Sequence, residues 1–232
     1  VLAGRATIML VDALYLFPEV SERVVAVGET NQGLGDFWQV LDENHGEKAD
    51  LGRSAGPEES LAQTPDLVIL KSQMRSSLGS ALENAGATVL YLDLETPAQY
   101  NRDIRILGRI LGQEDRAEEI IRLYEERAEA LRAAVDGVRR PTTLVLSYSA
   151  SGEERSFRVA PEGWIQTDQV RLGGGEPIWF GAAVSPGWNQ VDFEQIAVWD
   201  PEVIIIISYR TDPMEAKELV MENELWAELD AV

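Results

Sequence analysis

The chain has 232 residues, of which 45% are hydrophobic and 26% charged, as is typical of a packed globular protein with one or two domains. Its formal net charge of -20 would repel a phosphate backbone and therefore argues against nucleic-acid binding. With no cysteine and one histidine, the chain cannot form a disulfide, a thiolate metal site or a histidine-cluster metal site.

The first part of the chain alternates between apolar, β-branched runs and helical segments. It opens on residues 1–4, which resemble the end of a strand. The predicted helices that follow are 8–17, 57–63 and 78–84, and the predicted strands are 23–28, 66–71 and 88–93. Strands with continuous apolar sequence, separated by helices, favour a parallel sheet that is covered on both faces.

The middle of the chain is predicted to be mostly helical. Apolar residues recur at helical spacing from Tyr100 to Leu111, and the pattern continues to Val135 after an interruption at Gly112. A long helix could act as a spine between two α/β halves. Two ordinary covering helices fit the same pattern, and the sequence allows both interpretations.

The α/β pattern resumes after Pro141. We predict strands at 142–149 and 203–208, and helices at 162–172, 192–198 and 215–229. In each half a short helix runs into a proline and then a strand, once at Pro65 and once at Pro201, which suggests two lobes of similar design. The predicted domains are an N-terminal lobe of residues 1–112, a linking helix of 113–138 and a C-terminal lobe of 139–232.

Residues for catalysis are largely missing. His45 is the single possible centre for a serine or cysteine triad, and the G-x-S-x-G and phosphate-loop motifs are absent. The glycine run at 173–175 is expected to end a helix rather than to hold a phosphate. We therefore predict no catalytic residue, no resident cofactor and no metal site.

Polar and aromatic residues instead follow several predicted strands, where ligands of open α/β sheets are bound. Aromatic rings together with arginines suit a ligand that is partly flat or apolar and partly anionic. About half of the six tryptophans are expected to fill the core. The predicted ligand-binding residues are Arg5, Gln32, Lys71, Arg75, Tyr148, Trp164, Trp188, Tyr209 and Arg210.

Three stretches carry a recognisable pattern. They are residues 11–28, residues 58–69 and residues 187–204, of which the last (Gly187-Trp188-Asn189-Gln190-Val191-Asp192-Phe193-Glu194) is the most specific. These stretches resemble the class III periplasmic binding proteins of ABC importers. Residues 103–108 are similar to the linking helix of that family. Taken together, the resemblance extends over nearly the whole chain.

The resemblance implies an α/β fold of two Rossmann-like lobes with mainly parallel sheets, joined by one long spine helix, with the ligand cleft between the lobes. It implies ligand capture without a covalent step, for a metal chelate such as a ferric siderophore. Cobalamin, haem or a molybdate-like oxyanion are alternatives, and haem would depend on Tyr148 or Tyr209 as its iron ligand.

The resemblance also implies one exposed glutamate in each lobe that docks onto arginines of the ABC transporter permease. Glu58 and Glu194 match these positions, and Glu59 could replace Glu58 after a one-residue shift. We expect a monomer outside the cytoplasm, cut from a longer precursor that carries the signal sequence, a lipid anchor and the C-terminal end of the family.

Two functions of other classes stay open. An enzyme on a Rossmann-like scaffold, such as a nucleotide-sugar transferase, would need a phosphate-binding turn, and residues 4–7 lack the glycine spacing for one. A cell-surface interaction protein that has lost its ligand would show a narrow cleft without convergent arginines.

Overall fold

Helices and strands alternate along the computed structural model, which describes residues 1–30, 38–151, 154–182, 185–209, 212–222, 224, 226–229 and 231. The α-helices are α1 (Thr7–Leu14), α2 (Trp38–Leu41), α3 (Pro57–Leu61), α4 (Ser80–Asn84), α5 (Pro97–Leu111), α6 (Glu114–Ala134), α7 (Ile165–Leu172), α8 (Phe193–Trp199) and α9 (Pro213–Met221). The strands are β1 (Ala26–Gly28), β2 (Ala49–Gly52), β3 (Val68–Lys71), β4 (Val89–Leu92), β5 (Thr142–Ser151), β6 (Glu154–Val159), β7 (Glu176–Pro177), β8 (Asn189–Val191) and β9 (Val203–Ser208). The chain divides into two compact units, Val1–Tyr124 and Glu125–Val232.

The sheet of the first unit is parallel throughout its described pairings. Strand β1 pairs with β2, and β3 pairs with β4. Leu2 bridges the two pairs, because it lies parallel to Val27 on one side and to Ile69 on the other. The first residues of the chain therefore act as a central strand, which confirms the strand-like interpretation of residues 1–4.

Apolar clusters cover both faces of this sheet. Ile69 packs in one cluster with residues of α1, α5 and α6, while its neighbours Val68 and Leu70 pack in another with residues around α4. Successive side chains of a strand point to opposite faces, so a strand covered on both sides must be apolar at every position. This explains the continuous apolar runs in the sequence.

The predicted helical stretch is confirmed as two helices. Helix α5 begins with a capping box, in which Thr96 Oγ1 accepts a hydrogen bond from the Gln99 amide at 3.1 Å and the Gln99 side chain accepts one from the Thr96 amide. It ends at Gly112, whose φ of 70° is readily available to glycine. Helix α6 then runs across the boundary between the two units.

No helix in the described part of the chain combines the length and apolarity that a membrane crossing requires.

The second unit contains a mixed sheet. Strand β5 pairs in parallel with β9 over six residues and in antiparallel with β6, which in turn pairs in antiparallel with β8. Strands β6 and β8 were not predicted, and they add antiparallel pairings to the mainly parallel sheet that was expected. Two antiparallel strands can be joined by a short connection, whereas two parallel strands need a long crossover connection between them.

Tryptophans divide evenly between the core and partly exposed positions, as predicted. Trp38, Trp179 and Trp226 are at most 5% exposed, whereas Trp164, Trp188 and Trp199 are half-buried. Trp179 is the largest fully buried side chain, and its indole nitrogen donates a hydrogen bond to the carbonyl of Ala160 at 2.8 Å. That bond satisfies the polar atom of an otherwise apolar side chain.

A buried carboxylate joins α1 to the segment that follows α2. The Tyr15 hydroxyl donates to Asp42 Oδ2 at 2.5 Å, the Asn44 amide donates to Oδ1 at 3.0 Å, and the Lys48 ammonium group forms an ion pair with the same carboxylate. The Asp42 side chain is 0% exposed. Burial alone would raise the pKa of Asp42, but the hydrogen bonds from Lys48 and Tyr15 outweigh it and hold the pKa below its ordinary value.

This geometry predicts how Asp42→Asn changes stability with pH. Because the pKa is lowered in the folded state, the ionised carboxylate stabilises the fold above its unfolded-state pKa, and that contribution is lost as the pH falls through the folded-state pKa. We expect Asp42→Asn to reduce the free energy of unfolding by about 3 kcal/mol near neutral pH, since Lys48 is left buried without its partner, and by less at about pH 3. Urea unfolding monitored by circular dichroism measures both values.

The exposed neighbour Glu43 provides the control. Glu43→Gln should change the free energy of unfolding by less than about 0.5 kcal/mol at either pH. A loss for Asp42→Asn that is as large in acid as at neutral pH would contradict the assignment.

Candidate ligand-binding and docking surfaces

The parallel strands of the first unit end at one edge of their sheet, where the α/β rule places ligands. Arg5 lies at this edge, between the Leu2 strand and α1, and its side chain is exposed. Among the described residues it has no hydrogen-bond or ion-pair partner. Arg5 is therefore accessible, and its role in ligand binding stays a prediction.

Lys71 does not fit its predicted role as a ligand contact. It ends β3 and is 1% exposed. Its ammonium group forms an ion pair with Glu95 Oε1 at 2.8 Å and donates to the carbonyl of Asp93. A buried ammonium group needs such partners to offset its desolvation, so Lys71 connects the ends of β3 and β4 within the fold.

Arg75 is exposed, but it is also engaged within the first unit. It begins a five-residue π-helix, Arg75–Gly79, and its guanidinium carbon lies 3.7 Å from the centre of the Tyr91 ring. Its Nη1 lies 3.4 Å from Glu83 Oε1, which also accepts a hydrogen bond from Tyr91 at 2.9 Å. The charge of Arg75 is thus partly neutralised by Glu83.

Gly79 makes room for this arrangement. A Cβ atom at that position would lie 2.1 Å from the Tyr91 hydroxyl oxygen, so a larger residue would displace the tyrosine that stacks on Arg75. π-Helical turns are rare and often occur at functional sites. The turn positions Arg75 close to the end of β3.

Acidic residues at the same edge were missed by the sequence analysis. Asp103 is fully buried and accepts hydrogen bonds from the amides of Asp93 and Leu94 at 2.7 and 3.0 Å. Arg102 pairs with both Asp93 and Asp103, at 2.5 and 2.6 Å. One signal was available, since Asp103 falls beside Ile104 and Leu107 on the apolar side of α5.

Gln32 and Arg210, two further predicted ligand contacts, lie outside the described residues.

Three predicted ligand-binding residues of the second unit form an aromatic row. Trp164 precedes α7, Trp188 precedes β8, and Tyr209 follows β9. The ring centres of Trp164 and Trp188 are 5.8 Å apart at 90°, and those of Trp188 and Tyr209 are 6.4 Å apart at 73°. Edge-to-face packing of this kind is favourable for aromatic rings. All three side chains keep some exposure, and Tyr209 is 38% exposed.

Tyr148 does not belong to this row. It is 3% exposed, and its ring centre is 5.5 Å from that of Phe157, which lies 5.0 Å from that of Trp226. Its neighbours Leu146 and Ser147 on β5 are buried as well, and the ring packs in the core of the second unit. Its predicted role as a ligand contact is therefore revised to a packing role.

One more expectation concerns the second unit, and one residue there was not anticipated. The Gly175 amide donates to the carbonyl of Val170 at 2.9 Å and Gly174 has a φ of 84°, so the glycine run ends α7, as predicted. Arg158, which the sequence analysis did not single out, is exposed on β6 and lies opposite Ser147 and Gln190 in the sheet. The alternating polar and apolar residues of 156–159 were the available signal.

The two short helices that precede β3 and β9 have the same design. Glu58 is the second residue of α3 and Glu194 the second residue of α8, and both are exposed without a polar partner among the described residues. At an equal distance further along the chain, Thr64 and Asp200 adopt positive φ angles of 48° and 40°. A proline follows each of them and leads into the strand.

The helix caps distinguish Glu58 from its neighbour Glu59. The Glu59 side chain accepts a hydrogen bond from the Gly56 amide at 2.7 Å, because glycine has no side chain with which to cap α3 itself. In α8 the cap residue Asp192 accepts a hydrogen bond from the Gln195 amide at 2.8 Å. Glu59 thus helps to cap its helix, which leaves Glu58 as the equivalent of Glu194.

Within the described ranges, acidic and histidine side chains nowhere gather in a group of three or more that could hold a metal ion. His45 lies beside Trp38 at 6.0 Å between ring centres, and its Nδ1 is 3.0 Å from the carbonyl of Asp42. These contacts place the histidine in the packing around Asp42.

Solved structures share this fold. An ABC transporter substrate-binding protein from Listeria monocytogenes aligns with a TM-score of 0.74 and 21% identity, over 100% of this chain and 84% of its own. The triscatecholate siderophore binding protein FeuA from Bacillus subtilis aligns with a TM-score of 0.76 and 18% identity, over 100% and 79%. A periplasmic heme binding protein from Pseudomonas aeruginosa aligns with a TM-score of 0.75 and 20% identity, over 99% and 79%.

Curated proteins show no significant sequence match to the chain. The family model described as periplasmic binding protein matches residues 11–232, which is nearly the whole sequence. This match confirms the resemblance that the three sequence stretches indicated, and the chain belongs to the periplasmic binding protein family.

Proposed function

We propose that this protein is the extracytoplasmic substrate-binding component of an ABC importer, which captures a metal chelate such as a ferric siderophore and delivers it to the permease. The repeated helix–proline–strand unit is the observation that carries the proposal, because it presents Glu58 and Glu194 in equivalent positions of the two units. Membership of the periplasmic binding protein family supports the same role.

The ligand surface that we propose lies at the carboxyl ends of the strands in each unit. In the first unit this surface includes Arg5, before α1, and Arg75, shortly after β3. In the second unit it includes Trp164, Trp188 and Tyr209. Partly exposed aromatic rings can cover the apolar surface of a chelate, whereas a compact oxyanion would need several hydrogen-bond donors instead. For haem, Tyr209 would be the axial ligand, since Tyr148 is buried.

Delivery would depend on the two exposed glutamates. Each occupies the first turn of a helix with no polar partner among the described residues, so its charge is available to a basic partner surface. Two carboxylates on separate elements fix the orientation of a docked protein as well as attracting it. Beside Glu194, Val198 is 79% exposed one turn later, which adds an apolar contact to the same helix face.

No step of this role makes or breaks a covalent bond. The rival function as a nucleotide-sugar transferase would need a phosphate-binding turn where the Leu2 strand enters α1. That turn contains Ala6 in the left-handed region with a φ of 57°, and its exposed polar side chain is Arg5. A dinucleotide-type loop has three glycines at fixed spacing where the backbone approaches the phosphate, whereas residues 4–7 contain only Gly4, with a φ of 85°.

Glu194→Arg should abolish transporter-dependent uptake and leave ligand affinity unchanged. The substitution reverses the charge that we assign to docking, and like charges across an interface oppose association. Glu58→Arg should act in the same way. Uptake of a radioactive ferric siderophore by cells, or by vesicles that contain the permease, measures the effect, and calorimetric titration measures affinity.

Glu215 is a matched control, because it is also an exposed acid in the first turn of a helix of the second unit. Glu215→Arg carries the same charge reversal and the same loss of the helix-dipole interaction. It should leave uptake intact, and normal uptake by the Glu194→Arg variant would remove the docking assignment.

Trp188→Ala should weaken binding of the chelate by about tenfold, or ~1.4 kcal/mol, because it removes the middle ring of the aromatic row. Isothermal titration calorimetry with a ferric siderophore measures this change. Trp199→Ala is the control for the loss of a tryptophan, because Trp199 is also half-buried but packs against the core cluster of the second unit. It should leave the affinity for the chelate unchanged. Equal affinities of the Trp188→Ala variant and the unmodified protein would take the row out of the ligand site.

A further inference from the structure

The two helices that carry the proposed docking glutamates, α3 and α8, differ in the side chain one turn after the glutamate. Residues four positions apart lie on the same face of an α-helix. Four positions after Glu58 is Ala62, which caps the end of α3, and four positions after Glu194 is Val198. Ala62 is exposed, and Val198 is 79% exposed. The helix of the second unit thus presents a branched apolar side chain beside its carboxylate, whereas the helix of the first unit presents only a methyl group.

The remaining apolar side chains of α8 distinguish Val198 from its neighbours. Phe193 and Trp199 pack against the core cluster of the second unit, and Ile196 is fully buried within it. These three residues hold the helix in place. The charged or apolar side chains of α8 that are exposed to a partner are Glu194, Ala197 and Val198.

A surface that contacts Glu194 also covers Val198. An α-helix rises 1.5 Å per residue, so the two residues are separated by about 6 Å along the axis of α8 and lie on one face. A single exposed valine is ordinary on a protein surface. Its place beside a docking carboxylate is the feature that matters, because burial of this side chain in the interface would remove its apolar surface from water. Ala62 has much less apolar surface to bury beside Glu58.

We infer that Val198 determines the specificity of docking, and that the permease surface that receives the second unit has an apolar recess next to its basic group. The surface that receives the first unit contacts Glu58 without such a recess. This inference rests on the proposed function and names the chemistry of its partner. Because the two units make different contacts, each unit matches only one of the two permease surfaces.

Two substitutions of Val198 test the inference. Val198→Ala should weaken the association of the protein with the permease in nanodiscs about fivefold, because it removes two methyl groups from the recess. Val198→Thr keeps the shape of the side chain but introduces a hydroxyl group into the recess, so it should weaken association about threefold. Biolayer interferometry without added ligand measures both. The fold should be unaffected, since Val198 is exposed and alanine favours a helix more than valine does, and thermal unfolding checks this.

Salt separates the apolar contact from the charged one. Between about 50 and about 500 mM NaCl, the loss caused by Val198→Ala should stay near fivefold, because salt does not screen an apolar contact. The loss caused by Glu194→Gln should shrink over the same range. A loss for Val198→Ala that disappears at high salt would contradict the apolar recess.

Two further variants test whether the effect belongs to this position. Leu131 of α6 is another exposed aliphatic side chain of a helix in the second unit, with 49% exposure, and Leu131→Ala should leave association unchanged. Ala62→Val, introduced together with Val198→Ala, moves the valine to the equivalent position of the first unit. It should not restore association, and full restoration would overturn the assignment of the recess to the second unit.

The outcomes distinguish this inference from the proposed function. Unchanged association of the Val198→Ala variant, together with loss of uptake in the Glu194→Arg variant, would overturn the inference and leave the transport role standing. Normal uptake by the Glu194→Arg variant would instead remove the docking surface, and the role of Val198 with it. A fivefold, salt-independent loss for Val198→Ala together with loss of uptake for Glu194→Arg would support both.

Discussion

Burial of the parallel strands on both faces is the constraint on which the first unit depends. Strands β1 and β3 have no exposed residue, because apolar clusters cover them from both sides. Polar residues can then occur only where strands end, so charged side chains gather at one edge of the sheet. Lys71 and Asp93 lie at this edge because they stand at the ends of β3 and β4, and Asp103 of α5 accepts a hydrogen bond from the Asp93 amide there.

That concentration of charge explains why individual roles were hard to assign from sequence. Lys71 and Arg5 both follow an apolar run, and both were expected to bind ligand. The structure buries Lys71 against Glu95 but exposes Arg5. The difference depends on residues that are far away in the chain, such as Glu95, and no local pattern predicts such a partner.

Elements with a strong local signal were predicted well. Strand β9 has the predicted bounds, and the break at Gly112 separates α5 from α6 as expected. Strands β6 and β8 were missed, because β8 has only three residues and β6 alternates polar and apolar residues instead of forming a continuous apolar run. The three members of the aromatic row are far apart in sequence, so each was predicted separately as a ligand contact. The sequence could not show that their rings pack together.

The distribution of the tryptophans has a spectroscopic consequence. Trp38, the one tryptophan of the first unit, is shielded from water, as are Trp179 and Trp226, so their emission should respond little to solvent quenchers. The indoles open to iodide or acrylamide all belong to the second unit. Quenching of the intrinsic fluorescence by these agents is therefore a local optical probe of the second unit, and it will respond little to events that are confined to the first.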